Sequence, residues 1–375
     1  MYYMNKNNSI MFNQDEHNSF SVDYLYNGLL ITGDSGYGKN IVRQDIQEFL
    51  IENGYGLTII DSEGNEKHEL LQKINEKRKD DIIHLKPKKD SVDVGINILN
   101  CPMDKSNSYY QEAVSNISHD LTRRFADNID SWDTSMGNVI YTLIRKFIIK
   151  EHTYTITDFA EIVQDKEKRE KFLESCDLDS VFFNRIKNQN QEFFDLIAKT
   201  VTEWTEKEVV SQFISNKRND INLYDSIDSN KIIILDTSQI QDYGTPSLIS
   251  SFFLNRIWNL SQMDLSTENN EHFLFITNYN RSIHDNSNIR RFISHSRSYK
   301  LGVCISIQHF HQLPNRQKSI LSKLDNRLIF NTGSDRSNTL SIAKLCNIDK
   351  EKINTLDMYE FICDFKNKES NIKNL

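Results

Sequence analysis

The stretch that decides the fold is GLLITGDSGYGKNIVRQDIQEFL, residues 28–50, in which an apolar run enters a glycine-rich turn and then an amphipathic segment. The spacing of Gly33, four residues, Gly38 and Lys39 fits a phosphate-binding loop, whose backbone N–H groups and lysine surround an anion at a helix N-terminus. One position departs from the pattern, because Asn40 stands where such a loop normally carries a Ser or Thr ligand for Mg²⁺. The stretch predicts a strand, a phosphate-binding turn and a helix in direct succession.

This loop carries the candidate cofactor site. The expected cofactors are ATP, held through its β- and γ-phosphates by the amides, the lysine and the helix dipole, and Mg²⁺, with the Asn40 amide oxygen as a weak ligand. An ordinary strand-to-helix turn without a ligand is the alternative. The predicted binding residues are Gly33, Asp34, Ser35, Gly36, Tyr37, Gly38, Lys39, Asn40 and Ile41.

The length, net charge and cysteine content of the chain limit the classes of protein to which it can belong. A chain of 375 residues is expected to hold two folding units. Its formal net charge of −8 argues against a broadly basic nucleic-acid binder, so any such contact must be local. The five cysteines form no Cys-x-x-Cys pair, which favours a reduced, cytoplasmic interior. We expect no membrane span and no signal peptide, because no apolar run approaches about 18 residues and the N-terminus has no apolar core.

Strand and helix patterns alternate in two separated parts of the chain. The first is followed by a purely helical stretch, after which the alternation resumes with KIIILDTS, HFLFIT, GVCISI and RLIFNT. This order predicts an α/β fold with a mostly parallel sheet, one crossover of which carries an all-α insertion. The predicted parts are residues 1–104 (first half of the core), 105–225 (insertion) and 226–375 (second half of the core).

After the phosphate loop, three stretches of sequence occur in the same order as the motifs of a known protein family. They are GLTIIDSEGNEKHELLQKINEKRKDDIIHLKPKKDSVDVGINILN (residues 56–100), NKIIILDTSQI (230–240) and FISHSRSYKLGVCISIQHFHQLP (292–314). In this order the chain resembles the HerA/FtsK superfamily of ring-forming DNA-translocating ATPases, most closely the TraD/TraG-like conjugative coupling ATPases of type IV secretion. The resemblance covers most of the sequence and implies a RecA-like P-loop core with degenerate Walker motifs.

The resemblance implies an Asp-Glu pair at the end of the strand HFLFIT, the Asp for Mg²⁺ and the Glu to polarise the attacking water. This chain has Thr277 and Asn278 there, and neither accepts a proton at neutral pH. The candidate substitutes are Asp61 as a metal ligand and Glu63 as the catalytic base, because the end of the strand beside the phosphate loop can face the same crevice. Solvated loop acids are the alternative.

Two further catalytic residues are implied by the resemblance. Gln308 matches the sensor of the γ-phosphate, and a strand-end amide that caps local backbone is the alternative. Arg297 matches an arginine that reaches a neighbouring subunit's phosphates, although it also fits an ordinary solvated helix face. A second family arginine is absent, because the last strand continues as Phe330, Asn331 and Thr332.

His309 and His311 flank Phe310 and raise the question of a metal site. Two histidines at this spacing, without a nearby Cys or acidic ligand in the sequence, match no zinc motif. We therefore predict that these are loop histidines that bind no metal.

Three functions fit these residues. The first is an ATP-driven DNA translocase, and the second is a non-catalytic scaffold or regulatory pseudo-ATPase that keeps nucleotide as a ligand. The third, a small-molecule kinase, has no acceptor-pocket signature. We expect nucleotide binding with impaired hydrolysis in a DNA transfer or mobilisation system. The implied partners are DNA, further copies of this chain in a hexameric ring, and membrane-anchored or other proteins of the transfer system.

Overall fold

The computed structural model describes residues 9–11, 19–88, 95–150, 154–217, 222–242, 244–261, 271–283, 287–365 and 371–374. The prediction that the N-terminus is not a signal peptide concerns residues that lie mostly outside these ranges. The chain divides into two compact units. Unit 1 comprises Met1–Lys86, Asp225–Ser250 and Leu265–Leu375, and unit 2 comprises Pro87–Tyr224 and Ser251–Asp264. The predicted domain boundaries at residues 104 and 225 stay predictions.

Unit 1 contains all of the strands that the structure describes. They are β1 (Ser9–Met11), β2 (Ser19–Ser21), β3 (Leu29–Thr32), β4 (Gly56–Asp61), β5 (Ile82–Leu85), β6 (Ile232–Asp236), β7 (His272–Ile276), β8 (Leu301–Ile307), β9 (Asn326–Phe330), β10 (Glu360–Phe365) and β11 (Asn371–Asn374).

The helices of the described ranges belong to both units. They are α1 (Asp23–Tyr26), α2 (Lys39–Glu52), α3 (Glu66–Lys73), α4 (Glu76–Lys79), α5 (Tyr110–Asn128), α6 (Thr134–Ile149), α7 (Ile156–Gln164), α8 (Lys166–Glu174), α9 (Ser180–Lys187), α10 (Gln191–Thr205), α11 (Glu208–Ile214), α12 (Leu223–Asp228), α13 (Thr245–Ser261), α14 (Tyr279–Ser282), α15 (Ser287–His295), α16 (Asn315–Leu321), α17 (Arg336–Cys346) and α18 (Lys350–Asn354).

The main sheet of unit 1 has nine strands in the order β11-β10-β9-β3-β8-β7-β4-β6-β5, and β1 pairs with β2 separately. The strands from β9 to β5 in this order are parallel, and β10 and β11 add an antiparallel edge. Strands β3, β4, β6, β7 and β8 are buried along their whole length, as parallel strands covered on both faces must be. The predicted α/β fold with a mostly parallel sheet is confirmed.

The strand order corrects the expectation that the strand ending at Asp61 lies beside the strand that enters the phosphate loop. Strand β4 does not lie beside β3, because β8 and β7 stand between them. The direct neighbours of β3 are β8 and β9, with Thr32 in register with Ile307 and Ile329. The segments that follow β8 and β9 therefore flank the phosphate loop, since parallel strands end at the same edge of a sheet.

Unit 2 is helical: it contains α5 to α11, the first two residues of α12 and the second half of α13. Its core is aromatic: Phe147 stacks on Phe172 with ring centroids 4.0 Å apart, and Trp204 lies 4.7 Å from Phe125. Trp204 therefore packs in the core of unit 2. None of the described helices has both the length and the apolar character needed to cross a bilayer.

Candidate phosphate-binding site

The loop between β3 and α2 turns through glycines with left-handed backbone, with φ of 145° at Gly33, 85° at Gly36 and 104° at Gly38. A side chain at Gly33 would place its Cβ 2.6 Å from Phe330 Cβ and 2.9 Å from the Phe330 carbonyl oxygen, whereas Gly36 faces open space. The first glycine therefore lets the loop approach β9, and the second leaves one side of the loop open.

The phosphate loop has two backbone donors that are used and a following run of donors that are free. Asp34 N–H donates to the Asn331 carbonyl oxygen at 2.8 Å, and Ser35 N–H donates to Asp34 Oδ1 at 2.7 Å. Within the described chain, the N–H groups of the following residues, 36–41, donate to no acceptor. Since the last three begin α2, a helix of 14 residues, these donors and the positive end of the helix dipole form an anion site.

Lys39 adds a buried positive charge to this site. It is only 8% exposed, and its Nζ donates to the Asp34 carbonyl oxygen at 2.7 Å. Burial lowers the pKa of Lys39 to about 8. The negative charges of Asp34 and Glu63 raise this pKa in part, and the positive charge of Arg43 lowers it further. A desolvated ammonium that has a carbonyl partner is poised to gain a second, anionic partner.

Gln308 contacts the phosphate loop through a side-chain hydrogen bond. Its Nε2 donates to Asp34 Oδ1 at 2.7 Å. Burial would raise the pKa of Asp34, but the hydrogen bonds from Gln308 and the Ser35 N–H and the charges of Lys39 and His309 lower it overall. Gln308 thus contacts the phosphate loop through Asp34, and its reading of a γ-phosphate stays a prediction.

Asn40 is engaged by a residue that the sequence analysis missed. Arg43 donates through its NH1 group to Asn40 Oδ1 at 3.0 Å, and through NH2 to Glu66 Oε1 on α3. The side chains of Arg43 and Glu66 are each only 2% exposed. Burial alone would lower the pKa of Arg43, but Glu66 raises it, so the guanidinium stays charged. No local sequence signal marks this pair, because the two helices meet only in the fold.

Asp61 and Glu63 lie in the segment between β4 and α3. Asp61 is buried, and its carboxylate accepts three backbone hydrogen bonds, from Glu63 and Gly64 N–H at 2.8 Å and from Glu66 N–H at 3.1 Å. Glu63 is exposed, and its charge acts on Lys39 and Arg43. The structure thus brings Glu63 into electrostatic range of the phosphate loop, while Asp61 organises the turn before α3.

The end of β7 carries no carboxylate. Thr277 is buried; its Oγ1 donates to the Ile60 carbonyl oxygen at 3.1 Å and accepts the Ser62 N–H at 3.2 Å. Asn278 adopts a left-handed conformation with φ of 46° and is the N-cap residue that precedes α14. Thr277 therefore links the ends of β4 and β7, where the resemblance implies a metal-binding Asp.

Arg297 lies apart from the loop. It is exposed, in the turn Ser296–Tyr299 that precedes β8, whereas Gln308 follows the other end of that strand. Because β3 and β8 are parallel, Arg297 lies at the sheet edge opposite the phosphate loop. Its predicted reach towards a neighbouring subunit stays a prediction.

The residues present fit a polyphosphate better than they fit a preformed Mg²⁺ site. The open loop, its free amides and Lys39 supply what phosphate oxygens require. The two predicted metal ligands both have protein partners, namely Arg43 for Asn40 and three backbone amides for Asp61. Direct ligation of Mg²⁺ would therefore cost these hydrogen bonds.

Comparison with known proteins identifies the fold. The plasmid coupling protein TrwB in complex with the GTP analogue GDPNP matches 99% of this chain and 90% of its own, with 13% identity and a TM-score of 0.69. TrwB in complex with ADP and Mg²⁺ matches over 96% and 87%, with 13% identity and a TM-score of 0.66. VirB4 of Thermoanaerobacter pseudethanolicus matches over 100% and 98%, with 13% identity and a TM-score of 0.65.

No protein-family model and no curated protein matches the sequence. The structural matches nevertheless span nearly the whole of the chains compared, and they are proteins of the kind that the order of motifs indicates. The chain therefore has the RecA-like P-loop fold shared by TrwB and VirB4.

Proposed function

We propose that this chain is a nucleotide-binding component of a DNA transfer or mobilisation system, in which nucleotide is held but hydrolysed poorly or not at all. The observation that carries the proposal is the phosphate loop itself, where free amides surround the buried ammonium of Lys39. Support comes from TrwB, a coupling protein with this fold that has been solved with nucleotides bound. Backbone amides around the phosphates and one lysine suffice to bind a nucleotide, whereas hydrolysis of the nucleotide also needs a metal ion and a base.

The case for impaired hydrolysis rests on the end of β7. Thr277 uses its hydroxyl in two hydrogen bonds to backbone, and Asn278 has an amide that cannot act as a base. Water activation and metal placement supply much of the catalysis of phosphoryl transfer. A chain that lacks both the base that activates water and the metal-binding acid is expected to act as a scaffold or regulatory subunit that responds to bound nucleotide.

An active DNA translocase is the second candidate. The observation that favours it is Glu63, an exposed carboxylate whose charge acts on Lys39. In that case Glu63 would serve as a relocated base, Gln308 as the sensor and Arg297 as a contributor to a neighbouring subunit of a ring. DNA, a hexamer and anchoring partner proteins would then complete the machine.

Binding and turnover of ATP, measured on the same preparation, separate the two candidates. We expect saturable ATP binding by calorimetry, with no phosphate release above background when Mg²⁺ and DNA are present. Glu63→Gln should leave this result unchanged. Phosphate release that Glu63→Gln abolishes would overturn the pseudo-ATPase proposal in favour of the translocase.

Nucleotide affinity should fall as the pH rises through about 8. The pKa of Lys39, lowered to about 8 by burial, means that the free protein loses this charge between pH 7 and 9, while bound phosphate retains the proton on the lysine. Affinity at pH 9 is therefore expected to be about ten-fold lower than at pH 7. Calorimetry in matched buffers checks this, and a flat profile over this range would contradict the assignment of Lys39 to the phosphates.

A further inference from the structure

Two histidines and an aspartate that no part of the proposed function uses converge beside the phosphate loop. His309 directly follows Gln308 after β8, and His311 lies in the short turn Phe310–Gln312. Asp335 precedes α17, after the end of β9. In the sequence no acidic ligand lies near the histidines, which argues against a metal, but the fold supplies that ligand from another loop.

The ligand atoms have the separation of a metal site. His309 Nδ1 lies 3.6 Å and His311 Nδ1 lies 3.4 Å from Asp335 Oδ2. One ligand atom from each of the three residues lies within 4.8 Å of the other two. Zinc bonds of about 2.0–2.2 Å in a tetrahedral site place two ligand atoms about 3.3–3.5 Å apart. The two nitrogen–oxygen separations are thus close to those of a bound ion.

The three atoms have no other use among the residues described. Both Nδ1 atoms are buried and lack a hydrogen-bond partner there. Asp335 caps α17 with its other oxygen, since Oδ1 accepts the Asn338 N–H at 3.0 Å. The cap orients the carboxylate so that Oδ2 faces the two imidazoles, and a bound ion would satisfy both unpartnered nitrogens.

Asn338 holds the two loops together and so preorganises this cluster. Its Nδ2 donates to the Gln308 carbonyl oxygen at 2.7 Å, and its Oδ1 accepts the His311 N–H at 3.3 Å. Since Asn338 also forms the first turn of the helix that Asp335 caps, the histidine loop is fixed to the N-terminus of α17. Ligands placed on such a clamped frame lose little freedom when an ion binds.

We propose that His309, His311 and Asp335 bind a divalent transition-metal ion of the Zn²⁺ class, which ties the segment after β8 to α17. Two imidazoles and one carboxylate suit such ions, whereas Mg²⁺ favours sets made of oxygen alone. Three protein ligands leave a coordination position for water, and all three side chains are partly exposed. Because Gln308 both adjoins His309 and donates to Asp34, the ion would stiffen one wall of the phosphate loop.

The test is metal binding by the full-length, untagged chain after chelator treatment. We expect one tightly bound Zn²⁺ by competition with a chromophoric chelator, and the visible absorption of four-coordinate Co²⁺ upon substitution. His309→Asn, His311→Asn and Asp335→Asn should each weaken binding by at least about ten-fold. Asp335→Asn is the sharpest of these, because Asn caps helices as well as Asp does and the fold should be kept.

The matched control is His68→Gln, which removes a histidine on α3 that is far from the cluster in sequence and is hydrogen-bonded to Gln72. This variant should bind Zn²⁺ as the wild type does. The proposal fails if the wild type binds Zn²⁺ no more tightly than the His309→Asn/His311→Asn double variant, or if His68→Gln weakens binding as much as Asp335→Asn does. Neither readout involves nucleotide, so the outcome is independent of the proposed function.

Discussion

Lys39→Ala is expected to weaken the binding of nucleoside triphosphate by about 100-fold, equivalent to roughly 3 kcal/mol. The ammonium is buried at the N-terminus of α2 with the Asp34 carbonyl oxygen as its hydrogen-bond partner, so its charge is little screened by solvent. A phosphate oxygen brought to the free amides of the loop would meet that charge in a site of low polarity. Calorimetric titration of ATP and GTP at neutral pH measures the loss.

The same variant should fold normally. Burial already lowers the pKa of Lys39, which means that the charged lysine costs folding free energy at pH 7. Its removal is therefore expected to leave the melting temperature unchanged or raised. The control is Lys79→Ala, which removes a lysine of a surface ion pair with Glu76. Wild-type affinity in Lys39→Ala, or equal losses in both variants, would refute the proposed pocket.

Glu66→Ala is expected to destabilise the protein by about 3–5 kcal/mol. The loss follows from the burial of the ion pair, since both side chains are only 2% exposed and the truncation leaves the Arg43 guanidinium without its counter-charge. Arg43 also holds Asn40 at the start of the phosphate-loop helix, so the effect should reach the loop. Urea denaturation followed by circular dichroism measures the change in the free energy of unfolding.

Two matched variants test the cause of this effect. Glu76→Ala removes the acid of an exposed ion pair in which Glu76 is 85% exposed, and it should cost less than about 1 kcal/mol. The double variant Arg43→Met/Glu66→Leu replaces the buried pair with apolar side chains and should recover most of the lost stability. A double variant less stable than Glu66→Ala would show that the charges themselves, and not merely their pairing, hold α2 and α3 together.

Local patterns account for the elements that could be predicted. Strand β3, the glycine-rich turn and helix α2 follow one another as the stretch of residues 28–50 predicts. The apolar runs KIIILDTS, HFLFIT, GVCISI and RLIFNT correspond to β6, β7, β8 and β9. Periodicity and glycine spacing determine such segments because they depend on neighbours a few residues away.

The partners of the candidate site residues depend on strand order instead. Gln308 meets Asp34 because β8 lies beside β3, and Asp61 is distant in the sheet because β8 and β7 intervene. The side-chain oxygen of Asn40 accepts a hydrogen bond from Arg43, and Arg43 is in turn held by its ion pair with Glu66 on another helix. The contacts of Gln308 with Asp34 and of Arg43 with Glu66 cannot be predicted from a short window of sequence, because the partners lie on different elements.

By itself the sequence determined that a phosphate loop stands between a buried strand and a helix, and that the end of β7 bears Thr277 and Asn278 in place of acids. Only the tertiary structure decided which side chains face that loop and that Asp335 joins His309 and His311. The physical reason is the range of the interactions: turn geometry is settled by neighbouring residues, whereas these clusters form where loops distant in sequence are brought together at one edge of a packed parallel sheet.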